Sequence, residues 1–84
     1  MNKETTCAIG VTDPTRPLEC PALYDMSRPL EVEVGCGCGR FLVQRAADNP
    51  DCEFLGIERM LGRVRTFDGK VRRLGLSNAH ILRL

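Results

Sequence analysis

A chain of 84 residues, 27% charged and 43% hydrophobic, suffices for one small domain or a section of a larger one, and its balance excludes wholesale disorder. No apolar run approaches the ~20 residues that span a bilayer, and no apolar stretch follows Met1–Thr6, so no membrane partner and no secretory signal are expected and the cytoplasm is the default setting. The formal net charge of +1 hides a division, because residues 1–58 hold 5 Lys/Arg against 10 Asp/Glu whereas residues 59–84 hold 7 against 1.

Residues 1–29 contain Pro14, Pro17, Pro21 and Pro29, and their apolar positions keep no sustained period. They are predicted to form a poorly structured N-terminal leader with at most one short helical or extended piece. Residues 30–84 are expected to be the folded part. Leu30-Glu31-Val32-Glu33-Val34 reads as a strand from its β-branched alternation and from the stop at Gly35. Gly35-Cys36-Gly37-Cys38-Gly39 reads as a tight loop. A helix is predicted from Arg40 to about Asn49, with Leu42/Ala46 and Val43/Ala47 at i, i+4, ended by Asn49-Pro50-Asp51. Glu53–Glu58 reads as a second strand. A second helix is predicted from about Met60 to Leu74, because Met60, Val64, Phe67, Val71 and Leu74 make an amphipathic stripe. Gly62 and Gly69 weaken it, and Gly75 supplies its stop. Ala79–Leu84 begins a third strand.

The order β-α-β-α-β predicts an α/β fold with a parallel sheet, one half of a doubly wound, Rossmann-like domain. Three strands leave both sheet edges open, so the chain is expected to be a truncated domain.

The glycine loop joins a strand to a helix at the C-terminal end of the sheet, where doubly wound folds bind ligands. Glycines let a ligand approach the backbone closely. The spacing of Gly35, Gly37 and Gly39 is G-x-G-x-G and departs from the dinucleotide fingerprint G-x-G-x-x-G, since position 40 is Arg. Glu58 closes the second strand, where an acid accepts hydrogen bonds from ribose hydroxyls. Glu33 is unusual in a strand expected to be central and suits a cationic ligand group, an amine or sulfonium, better than a pyrophosphate. The five cysteines (Cys7, Cys20, Cys36, Cys38, Cys52) offer only one close pair, C-x-C, so a structural metal is not expected and reduced, mostly buried thiols are. His80 is expected to be a packing residue rather than a base. Arg59, Arg63, Arg65, Lys70, Arg72 and Arg73 decorate the second helix, where most are expected to be solvated or salt-bridged, although a phosphate backbone is the alternative.

The string from Pro29 to Leu42, followed by Asn49-Pro50, Phe54-Leu55-Gly56-Ile57-Glu58 and Gly75-Leu76-Ser77-Asn78, resembles the tRNA (guanine-N7)-methyltransferase family. The resemblance covers about Pro29 to Leu84. It implies residues 30–84 are the N-terminal half of a class I methyltransferase domain. Its enzymes transfer a methyl group from S-adenosyl-L-methionine to N7 of a variable-loop guanine in tRNA. It further implies that Glu33 contacts the cofactor, that Gly35, Gly37 and Gly39 lie under its methionine part, and that Glu58 holds the adenosine ribose. Two departures stand out. Cys38 occupies a position where the family often has Lys or another large residue. Arg59 follows Glu58 directly, where the family commonly has a hydrophobic residue and then Arg, so no arginine role carries over. The family's later acids fall beyond Leu84, so the catalytic residues are unassigned, and the chain alone is expected to have little or no activity. Two other readings remain: an NAD- or FAD-binding module, which would prefer glycine at position 40, and a non-catalytic RNA-binding fragment.

Overall fold

The computed structural model describes residues 8–10 and 27–84. The rest of the predicted leader lies outside the described residues. The elements, in chain order, are β1 (Ala8–Gly10), β2 (Leu30–Val34), α1 (Arg40–Asp48), β3 (Glu53–Glu58), α2 (Leu61–Leu74) and β4 (Ala79–Arg83). All pairings are parallel, and the sheet order is β1-β4-β3-β2. The predicted β-α-β-α-β unit is present, with strand and helix bounds within a residue or two of those expected.

The strand count is corrected. Ala8–Gly10, inside the expected leader, pairs with Ile81–Arg83 and closes the edge of β4 that the sequence reading left open. Three residues are too few to carry a hydrophobic period, so nothing local marks them as a strand.

Both helices cover one sheet face. The core unites Leu42, Val43 and Ala46 of α1, Val64, Phe67 and Val71 of α2, and the inward strand residues Phe54, Ala79 and Ile81. Phe54, Phe67 and Ile81 are all but inaccessible to solvent. Burying each is worth about 1.5–3 kcal/mol, so the sheet and α2 share the largest apolar contribution. α1 has only 9 residues and no side-chain cap at its start, too short to persist without that packing.

The opposite face carries a polar cluster. Glu53 is buried and pairs with Arg28 at 2.9 Å and with His80 Nε2 at 3.3 Å. Arg28 also donates to the carbonyls of Pro50 and Asp51, so one guanidinium ties the α1–β3 turn to the start of β3. His80 therefore sits in a strand, away from the glycine loop.

Asn78 joins three segments. Its buried amide donates to the carbonyls of Ala46 (3.0 Å), Asn49 (3.1 Å) and Cys52 (3.0 Å), and Phe54 N donates to its carbonyl at 2.8 Å. These carbonyls belong to the end of α1 and to the turn after it; Ala46 O also accepts from Asn49 N at 3.3 Å and Asn49 O from Cys52 N at 3.1 Å, so the Asn78 amide adds to bonds the backbone already makes there. Removing the amide forfeits its hydrogen bonds, each worth about 0.5–1.5 kcal/mol. Asn78→Ala is expected to lower the unfolding free energy by about 2–3 kcal/mol in a urea titration. Asn78→Asp is expected to be worse, since a carboxylate brings no donor to a ring of carbonyl oxygens. In contrast, a Cβ at Gly62 or Gly69 meets open space. Gly69→Ala is expected to raise stability by about 0.5–1 kcal/mol in the same titration.

Candidate functional site

The backbone after β2 turns under the ends of β2 and β3. Gly35 N and Cys36 N both donate to Ile57 O, at 2.7 and 3.2 Å, which locks the start of the loop to the adjacent strand. Gly39 N then donates to Cys36 O at 3.1 Å, and Gly39 O accepts from Val43 N at 2.8 Å as α1 begins.

The glycines have different reasons for being glycine. Gly37 has φ 60 and Gly39 φ 78, in the left-handed region where a side chain is strained. A Cβ at Gly35 or Gly37 would face open space, so the loop presents bare backbone there. A Cβ at Gly39 would overlap the Phe67 ring, so Gly39 is also the point where α1 approaches α2. Gly56, opposite Glu33 in the β2–β3 register, is a further close approach, because a Cβ there would come within 2.5 Å of Cys36 Sγ. In the sequence Gly56 stands within the Phe54–Glu58 motif and Phe67 within the apolar stripe of α2, and neither contact is marked there. A glycine inside an otherwise apolar strand was the available signal for the first.

Glu33 and Glu58 share the helix-covered face, since residues 31, 33, 54, 56 and 58 alternate inward in register. Glu58 is buried at 6% exposure. Its Oε1 accepts from Gly37 N at 3.1 Å and its Oε2 from Met60 N at 2.8 Å. The Met60 amide, followed by those of Gly37 and Arg59 and then the Arg63 guanidinium, holds this carboxyl below the usual carboxylate range, against burial, which pushes it up. Its stabilising contribution is therefore complete above the ordinary glutamate value of ~4.3 and is lost only as pH falls through the lower folded value.

Glu33 is different. Its neighbour Glu31 is taken by Arg45, whose Nε lies 2.8 Å from Glu31 Oε2. Glu33 Oε1 is buried without a hydrogen-bond partner. It lines a hollow of about 240 Å³ along the free edge of β2, with Phe41, Leu42, Arg45 and Phe54. A buried, unpaired carboxylate oxygen is costly unless something supplies a donor or a positive charge.

Both carboxylates act on Cys36. Burial pushes its thiol up to about 11, with Glu33 and then Glu58 adding to the rise. Cys36, Cys38 and Cys52 are free and partly buried. Cys7 and Cys20 lie outside the described residues. The structure thus joins Gly37 to Glu58 directly, sets Cys36 in the field of both Glu33 and Glu58, turns Glu33 to a hollow lined by α1 and β3 residues rather than by the glycines, and gives Gly39 a packing contact on α2.

Because the thiolate is the reactive species, Cys36 is expected to alkylate slowly at pH 9 in the folded chain and fast in urea, followed by peptide mass spectrometry. Glu33→Gln removes one repelling charge and is expected to speed the native reaction by up to about tenfold. An unchanged rate would place Glu33 away from the loop.

Comparison with known proteins bears on this arrangement. A family model described as "Putative methyltransferase" matches residues 27–84. The tRNA (guanine-N(7)-)-methyltransferase of Roseobacter denitrificans is 41% identical over 63 residues, which is 75% of this chain and 27% of that protein. The enzymes of the same name from Cutibacterium acnes and a Synechocystis strain are 37% and 41% identical, each over 77% of this chain and over 24% and 33% of their own lengths. The chain thus spans about a quarter to a third of the curated relatives it matches. The match begins beside Arg28 and takes in the glycine loop, both acidic strand tips and the Asn78 clamp, and over that span the chain belongs to this methyltransferase family.

Proposed function

We propose that this chain is the cofactor-binding part of a tRNA (guanine-N7)-methyltransferase that uses S-adenosylmethionine. The observation that carries the reading is a buried, unpartnered Glu33 oxygen and a buried Glu58 on the same sheet face, either side of loop backbone that is open at Gly35 and Gly37. The names of the relatives supply the substrate class.

The donor set fits the cofactor. A carboxylate offers about four lone-pair sites. The Gly37 and Met60 amides take one on each Glu58 oxygen, with the Arg59 amide beside them, and the remaining acceptor capacity would serve ribose hydroxyls. Glu33 offers a charge-assisted acceptor to the cofactor's ammonium group. Gly35 and Gly37 leave room for the methionine part to lie against backbone, with Gly39 holding the loop on α2. When bound, the cofactor supplies a methyl group on a sulfonium centre. Guanine N7 already carries a lone pair, so no base is needed. What the residues of this chain do is bind and orient, and hold negative charge beside a cationic ligand. The free edge of β2 and its exposed Leu30, Val32 and Val34 leave space where a further strand would continue the sheet. The guanine-binding half of the site would belong there.

S-adenosylmethionine is expected to bind in calorimetry and NAD is not; the reverse result rejects the reading. Glu58→Ala is expected to weaken cofactor binding by about ten- to a hundredfold, the range for hydrogen bonds to a charged group. The chain by itself is expected to form no N7-methylguanosine on tRNA transcripts, because the acids that would hold the base are not among its residues.

A further inference from the structure

The second helix carries a surface that the cofactor site does not use. We propose that the solvent-facing half of α2 docks the phosphodiester backbone of a folded RNA, with Arg65 and Arg73 as its two principal contacts. This rests on the reading that the substrate is a tRNA, and it assigns that substrate a place on this chain.

The charge pattern is not that of a helix whose surface is merely solvated. From Arg59 to Leu74 there are six cations and a single acid, Asp68, which Arg72 holds at 3.2 Å. Arg63 reaches Glu58 only at 4.0 Å. Arg59, Arg65, Lys70 and Arg73 make no ion pair with a described residue. A helix face kept for solubility usually mixes signs and gains from i, i+4 pairs of opposite charge. Here one such pair forms, Asp68–Arg72, and the other cations have no i, i+4 acid on the helix.

The positions also work against the helix. There is no acid in the first turn of α2, while Arg63 lies within it and Arg59 just before it. The helix dipole disfavours cations at that end. The residues buried against the sheet are Val64, Phe67 and Val71. At 100° per residue, Arg65 and Arg73 lie on the opposite side, about 12 Å apart along the axis. Between them Gly69 is exposed, and a Cβ there would meet nothing. The result is two exposed guanidiniums, unpaired among the described residues, flanking bare helix surface, a form that admits a polyanionic strand. Arginine suits this task because its planar fork donates two parallel bonds to a phosphate.

The test uses the whole 84-residue chain and a fluorescently labelled, unmodified tRNA transcript, with anisotropy measured across a salt series. Log affinity is expected to fall linearly with log salt. Arg65→Ala and Arg73→Ala are each expected to reduce the slope by about 0.7–0.9, the loss of one phosphate contact. Ala47→Glu makes the same change in net charge on the exposed side of α1 and is expected to leave the slope unchanged. A slope lowered equally by Ala47→Glu overturns the proposal, because net charge alone would then explain binding. Competition by polyglutamate as effective as that by unlabelled tRNA overturns it too, because an acidic protein surface would then fit as well. Binding of S-adenosylmethionine is measured on the same samples. RNA binding with the expected slopes supports the surface even where the cofactor fails to bind; absent RNA binding rejects the surface even where the cofactor binds.

Discussion

The Glu58 carboxylate bridges two junctions at once. One oxygen takes the Gly37 amide from the loop after β2, and the other takes the Met60 amide at the start of α2. Those donors would otherwise be left at the end of a sheet with no strand to pair with. The same carboxylate therefore sets the height of the glycine loop and the entry angle of α2. Its low pKa follows from the amides rather than from a paired cation, since Arg63 stands at 4.0 Å. A ligand that binds Glu58 meets a group already fixed in place, so little ordering is left to be done on binding.

The bridge holds only because the backbone can come close. Gly56 has no side chain to displace Cys36, and Gly39 has none to displace Phe67. Each close approach moves the loop toward the sheet and α1 toward α2. A methyl group at either place would push against a side chain that is itself confined, and at Gly39 against a ring with no exposure at all. Overpacking of this kind is relieved by backbone shifts, which would carry Gly37 away from Glu58. The Asn78 clamp fixes the other end of α1, where its amide ties the Ala46 carbonyl to those of Asn49 and Cys52 in the turn.

Much of this was legible in the sequence because it rests on short periods. The alternation of Leu30–Val34 puts Glu31 and Glu33 on one face, and the strand Glu53–Glu58 reads from composition with both bounds as observed. Of the five-residue stripe expected for α2, Val64, Phe67 and Val71 are its buried side, whereas Met60 and Leu74 at its two ends are exposed. What stayed hidden depends on contacts between distant residues. β1 has only three residues and exists through pairing with β4. The division of labour between Glu31 and Glu33 is set by Arg45, 14 residues further on, which reaches one acid and not the other. Asn78 enters the sequence reading only within the string Gly75-Leu76-Ser77-Asn78. No local pattern tells that its amide turns inward to three carbonyls.

The two charged regions make opposite demands on one small molecule. A cationic cofactor is favoured by negative potential at the strand tips, and a polyanion is repelled by it. At physiological salt charges act over about 8 Å, so neither field is fully screened from the other across a single helix. The fold handles this by orientation. Glu33 and Glu58 lie on the covered side of the sheet, whereas Arg65 and Arg73 of α2 face away from the residues it buries. Glu58 is further masked by amide dipoles, which offset its charge as seen from outside the loop. Arg59 and Arg63 stand at the boundary, beside the buried acid and at the disfavoured end of the helix. Their positive charge lowers the repulsion that a phosphate would meet on approaching the cofactor's end of the sheet. Glu33 and Glu58 thus precede residue 59 and the cations of α2 follow it, which puts the two signs of charge in consecutive elements.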